Sequence, residues 1–250
     1  MRRSARLGIV DWGIGGIGIR KLLHERLPRV AVTYFSDTGV TPYGRMARRD
    51  LSDRVDDVIL YLRSIGVTHL IVGCNAASTA LPRLNDHGIE IIGMIEPAVN
   101  AVAKQPPSRL GLIGGRQTVL SGAYRKAFAA RGISVTQRIA QPLSAMIESG
   151  DVSSDKLVGE CERILRPLRT CSHILLACTH YPAIMPVLKQ AADRSVFIDP
   201  APSLVERVKK WKLPVGGEDV YLTTGDTRQM KQASFAAFDW KIGAVKKVAF

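Results

Sequence analysis

The chain alternates short, nearly continuous apolar runs with longer amphipathic stretches from one end to the other. The runs LGIV, VTYFSD, HLIVG, IEIIGMI, LGLIGG, HILLA, SVFID and VYLTTGD each end near Gly, Asp, Asn or Cys. Runs of this kind, bounded by turn-forming residues, read as strands buried on both faces. Between them, residues 51–64 and 119–131 repeat their apolar positions at helical spacing. The alternation predicts an α/β fold with mainly parallel sheets, whose ligand sites lie at the carboxyl ends of the strands.

Two pairs of these segments align at nearly one offset. LGIVD begins at Leu7 and LGLIG at Leu110, 103 positions later; THLIVGCNA carries Cys74 and SHILLACTH carries Cys178, 104 positions later. Each cysteine follows a histidine, His69 or His173, by five positions across an apolar run. Matching offsets predict an internal duplication, and with it two pseudosymmetric α/β lobes facing each other across a cleft. The expected first lobe is residues 1–97 plus 204–250, with Asp11 and Cys74. The expected second lobe is residues 98–203, with Glu148, Cys178 and His180. The crossings are expected in a loop at Glu96-Pro97 and in DPAPS, residues 199–203, where proline punctuates the pattern.

Composition then narrows the class. No run of eighteen apolar residues occurs, which argues against a membrane span, and MRRSARLGIVD lacks a cleavage-like segment, so a cytoplasmic location is expected. The four cysteines form no CxxC pair and read as free thiols in a reducing compartment. With 35 Lys and Arg against 22 Asp and Glu, the net charge is +13. The basic residues are scattered and no nucleic-acid motif accompanies them. A basic surface that favours small anionic ligands is therefore the expectation.

Two features carry candidate chemistry. Gly13, Gly15 and Gly18 follow the first strand as GxGxxG, and Asp37 closes the next run nineteen residues later, a near-match to a dinucleotide fingerprint. That motif alone is a weak signal. The second feature is the pair of repeated cysteines, followed by Asn75 in one case and by Thr179 and His180 in the other. A thiol of pKa about 8.5 becomes a useful base beside an acid–base partner. Two opposed thiols suit inversion at a carbon bearing an acidic proton: one removes the proton from one face, and the other returns a proton to the opposite face. Asp11 and His180 are candidates to assist them. Cys161 and Cys171 read as buried structural residues. Cys178 and His180 fall short of the three or four ligands of a zinc site, so no metal is expected. A thiol hydrolase using one cysteine, and a binding protein that keeps the cleft without turnover, stay open on the residues alone.

The segments DWGIGG, SDTGVTPYG, GCNAAST, GLIGGRQTVLSGAY, ESG at Glu148, ACTHYP, FID and TTGD occur in an order and spacing that resemble the cofactor-independent glutamate racemases, within the aspartate/glutamate racemase superfamily. The resemblance covers about residues 7–238, and CNxxS followed by CTHYP is its most specific part. It implies a two-domain fold with the active site between the lobes, an amino-acid substrate, no pyridoxal phosphate or other cofactor, no metal, and a homodimer. It implies Cys74 and Cys178 as the two catalytic acid/bases, each serving one enantiomer, with Asp11, Glu148 and His180 in support. Substrate contacts are implied for Asp11, Trp12, Tyr43, Gly44, Asn75, Ala76, Thr118, Thr179 and His180. The glycines would then form a substrate-binding turn whose backbone amides approach a carboxylate. A D-glutamate product would point to peptidoglycan precursor synthesis. Some members of the family also act on DNA gyrase, so a nucleic-acid or gyrase contact is an alternative that no motif here supports.

Two positions depart from the family pattern. Asp11-Trp12-Gly13 stands where the family reads Asp-Ser-Gly, and Cys74-Asn75-Ala76 where it reads Cys-Asn-Thr. Each missing hydroxyl removes a hydrogen bond to a charged group, a loss of about 1.5–3 kcal/mol. Trp12 also adds bulk. Glutamate racemisation is the expected function, with another amino acid such as aspartate, or an impaired binding paralogue, as the alternatives.

Overall fold

The computed structural model describes residues 6–250; the first five residues of the N-terminal stretch read for a leader lie outside the described residues. One sheet contains β1 (Leu7–Asp11), β2 (Val32–Ser36), β3 (His69–Val72) and β4 (Glu90–Gly93). A second contains β5 (Leu110–Gly114), β6 (Val135–Ile139), β7 (His173–Ala177) and β8 (Val196–Ile198). The chain then returns to the first sheet with β9 (Val220–Thr223) and β10 (Val245–Lys247). The orders are β10-β9-β2-β1-β3-β4 and β6-β5-β7-β8, and every strand pairing is parallel. β1 and β5 sit inside their sheets and are buried along their whole length, which is why they read as unbroken apolar runs.

The order β2-β1-β3-β4 recurs as β6-β5-β7-β8, so the fold is two pseudosymmetric α/β lobes. The repeat extends to the strand entrances. Leu7 lies opposite His69, and Leu110 lies opposite His173. The backbone amide of Arg6 donates to the Thr68 hydroxyl at 2.8 Å, as that of Arg109 does to the Ser172 hydroxyl at 3.2 Å. His69 and His173 turn their Nδ1 atoms to those same hydroxyls, at 2.9 and 3.0 Å. Both histidines thus serve the amino ends of the strands, away from the ends that carry the cysteines.

Three details differ from the sequence expectation. β6 and β10 are additional strands at the sheet edges; their sequences, VTQRI and VKK, are half polar because their outer faces meet water. Residues 119–131 hold two helices, Arg116–Leu120 and Ala123–Ala129, because Gly122 breaks the path with φ of +70°. The expected loop at Glu96-Pro97 is the first turn of the helix Ile95–Lys104, where proline is tolerated because the first-turn amides have no intrahelical acceptor. That helix lays Ala98, Val99 and Val102 on the core of the second sheet, with Leu110, Leu112 and Leu175. The helix Ala201–Val208 instead packs Leu204, Val205 and Val208 against Ile17 and Leu23, in the core of the first. No helix of the described residues is long and apolar enough to cross a membrane.

Candidate active site

Parallel strands deliver their carboxyl ends to one edge of each sheet, and the two edges face one another. Asp11 ends β1. Cys74 follows β3, after the Gly73 amide has extended the ladder to the Val10 carbonyl at 2.8 Å, and it caps the short helix Asn75–Ser78. Cys178 follows β7 directly. Between the lobes lies a small cavity of about 40 Å³. Asp11, Trp12, Tyr43, Gly44, Cys74, Asn75 and Ala76 line it from one lobe, and Thr118, Cys178, Thr179 and His180 from the other. Glu148 is not a wall residue; it stands behind His180. Pro42 and Gly115, from two of the motif segments, also line the cavity, as do Gln141 and Ser144, which carry no signal in the sequence.

Around Cys178 the groups form a chain. Its sulfur lies 3.7 Å from His180 Nδ1, and His180 Nε2 lies 2.7 Å from a Glu148 carboxylate oxygen. That oxygen also accepts the Ile14 amide of the other lobe, at 2.9 Å. Burial opposes a charge on the imidazole, but the bonds to Cys178 and Glu148 and their charges outweigh it, holding His180 well above its ordinary 6.5. A protonated imidazole next to a thiol stabilises the thiolate and can take up or return a proton.

Around Cys74 the environment is different. Burial pushes the thiol well up, and the Asp11 charge pushes it further, while backbone bonds from Ala77 and Ala76 pull it back. Asp11 is itself raised by burial, against the pull of the His180 charge and the Thr179 hydrogen bond. One Asp11 oxygen accepts from the Thr179 hydroxyl at 2.6 Å and the other from the Trp12 amide at 2.7 Å. Asn75 accepts the Tyr124 hydroxyl on its side-chain oxygen, and its buried Nδ2 has no partner among the described residues. A buried donor left open costs about 1–3 kcal/mol, and here it borders the cavity, where a ligand oxygen would satisfy it.

At the cavity the glycine loop is filled by side chains of the protein itself. A Cβ on Gly13 would collide with the Glu148 carboxylate, and one on Gly15 with Thr179, His180 and Asp11. These glycines therefore admit side chains of the second lobe, and the Ile14 amide meets the carboxylate of Glu148, a group of the protein itself. Asp37, the expected ribose-binding acid of such a fingerprint, is fully buried and accepts from Tyr43, Arg54 and Thr224. The Tyr43 hydroxyl is thus occupied by Asp37. Trp12 lines the cavity, packs against the hydrophobic core of the first lobe and donates its Nε1 to the Val40 carbonyl at 3.1 Å.

Fold and site together define a two-lobed parallel α/β protein with its reactive groups held between the lobes. Residues 18–208 match the Asp/Glu/hydantoin racemase family, and the chain belongs to that family. It is 34% identical to the glutamate racemase of Trichodesmium erythraeum over 83% of this chain and 79% of that protein. Its fold matches the glutamate racemase of Thermus thermophilus in complex with β-chloro-D-alanine, with a TM-score of 0.85 at 25% identity, over 100% of this chain and 98% of the other. It also matches the fold of the Francisella tularensis enzyme in complex with D-glutamate, with a TM-score of 0.88 at 24% identity, over 99% and 98% of the two chains. The chain is accordingly an amino-acid racemase of this superfamily.

Proposed function

We propose that the protein is a cofactor-independent glutamate racemase in which Cys74 and Cys178 are the two bases. The observation that carries this reading is one cavity between the lobes with a thiol from each lobe on its wall, at equivalent strand ends. One cysteine, as thiolate, takes the Cα proton from one face. The other, as thiol, gives its proton to the opposite face of the carbanion, so the substrate gains and loses one proton and the two sulfurs exchange roles. His180, oriented by Glu148, serves Cys178. Asp11, oriented by Thr179, serves Cys74. The open Asn75 Nδ2 and the Thr118 hydroxyl are donors for substrate oxygens. The identity to curated glutamate racemases favours glutamate as substrate, and its D-enantiomer would feed peptidoglycan precursor synthesis.

A second reading keeps the chemistry and changes the substrate to a smaller amino acid such as aspartate. The bulk of Trp12 and the methyl of Ala76 on the wall of so small a cavity favour it. Loss of the Cα proton signal in deuterated water, with L- and D-glutamate, aspartate and other amino acids, separates the two. Exchange with glutamate, together with racemisation that Cys74→Ala and Cys178→Ala each abolish, supports the first reading. Exchange with aspartate alone supports the second, and retention of racemisation in either variant sinks the two-thiol mechanism.

A further inference from the structure

Trp12 stands where the family pattern has a small hydroxyl residue, and its contacts give it a specific task. Its backbone amide is bonded to Asp11, and its indole Nε1 holds the Val40 carbonyl at 3.1 Å. It therefore ties the end of β1 to the loop of residues 37–47, which supplies Pro42, Tyr43 and Gly44 to the cavity. The far end of that loop meets the second lobe. The Gly44 carbonyl accepts the Gln117 amide at 3.1 Å, and Gln141 lies so close that a Cβ on Gly44 would run into its carboxamide. With this contact made, the cavity of about 40 Å³ has room for about three water molecules. The cavity is half open, and the loop is the part of its wall that this contact holds against the second lobe.

We propose that Trp12 is a positioning residue that braces the 37–47 loop, keeping the Gly44 carbonyl in register with the Gln117 amide so that the loop closes over the two thiols. The brace lies within the first lobe and the closing bond lies between lobes. Both bonds are made in the closed loop and both part when the loop opens, so loss of either one shifts the loop toward the open state. Its kinetic consequence rests on the reading of the cavity as the substrate site; its effect on thiol access does not.

The test uses the full-length protein without ligand. Iodoacetamide modification of each cysteine is followed by peptide mass spectrometry in wild type and in Trp12→Phe, which keeps the ring and loses the Nε1 donor. Cys74 and Cys178 are expected to react about five-fold faster in the variant, the effect of one lost hydrogen bond on a local opening equilibrium. Cys161 and Cys171, buried away from the cavity, should keep their rates and report on global unfolding. Cys74 reacting at the wild-type rate in W12F overturns the proposal, as does equal acceleration at all four cysteines. Gly44→Ala forces the same contact from its other side; an unchanged Cys74 rate there also overturns it. In turnover, W12F should raise KM about three- to ten-fold and leave kcat within about two-fold, the split expected for a loop that binds substrate and transition state alike. A fall in kcat at constant KM contradicts the assignment. Absence of turnover in the wild type refutes the racemase reading and leaves the alkylation result standing.

Discussion

The two thiols occupy equivalent strand ends, yet their surroundings differ. Cys178 is served through an imidazole that reaches a buried carboxylate, and that carboxylate is fixed by a backbone amide of the opposite lobe. Cys74 has no imidazole; it lies near Asp11 and under the first amides of a short helix. The duplication thus supplied two reactive groups in symmetric places, and the supporting groups diverged around them. In each case a support is anchored across the lobe boundary: Thr179 holds Asp11, and the Ile14 amide holds Glu148. The contacts that join the lobes are therefore also the ones that fix Asp11 and Glu148.

The most severe way to probe the comparison is to remove either sulfur. Cys74→Ala and Cys178→Ala should each lower racemisation by at least about 10³-fold, within the range for loss of a positioned acid–base group, read as the loss of optical activity from a single enantiomer. Next is the imidazole. His180→Gln should cost about 10²-fold in kcat in the direction that uses Cys178 as base, with a smaller loss in the other. Because the enantiomers have equal energy, kcat/KM must fall equally in both directions, so the asymmetry is sought in kcat and KM separately. Equal kcat losses in both directions would erase the distinction drawn here between the two thiols.

The same variant tests the electrostatics. His180 is held above 6.5 in the folded protein, so it contributes stability that is complete below about pH 6.5 and is lost as pH rises through the folded value. The Tm difference between wild type and His180→Gln should shrink from pH 6 upward; a difference independent of pH would mean that the ring is neutral. Smaller still is the bond that anchors Asp11. Thr179→Val should lower the unfolding free energy by roughly 1.5–3 kcal/mol, the worth of a buried hydrogen bond to a charged acceptor, measured by urea denaturation. The smallest effect is expected on the Asn75 side. Tyr124→Phe removes the hydroxyl that orients the Asn75 amide and should raise KM a few-fold, roughly the loss of one hydrogen bond, with kcat little changed.

Much of this was legible in the sequence, for local reasons. Strands buried on both faces are apolar throughout, and helices repeat at their own period. A duplicated unit therefore shows itself as a repeated pattern even where identity has decayed, as at Leu7 and Leu110 or Cys74 and Cys178. Edge strands were harder to see. VTQRI and VKK are strands because β5 and β9 present open edges to them, and their own patterns are too polar and short to announce it. Gln141 and Ser144 were not legible either: they lie in an ordinary amphipathic helix, Gln141–Glu148, and nothing local marks one polar face as the wall of a cavity.

The sequence by itself determined the class of fold, the duplication, the family, and the position of Cys74 and Cys178 at the ends of strands. All of these rest on patterns within one element or on a repeat between two. Only the tertiary structure decided what the glycines are for, because Gly13 meets Glu148 across the lobe boundary and Gly15 meets Thr179 and His180. It alone decided that Trp12 lines the cavity with its indole pinned to Val40. It alone decided that Glu148 stands behind His180 and not on the cavity wall. Contacts such as Asp11 with Thr179, 168 positions apart, leave no periodicity in the chain, since they are set by how two independently folded faces meet.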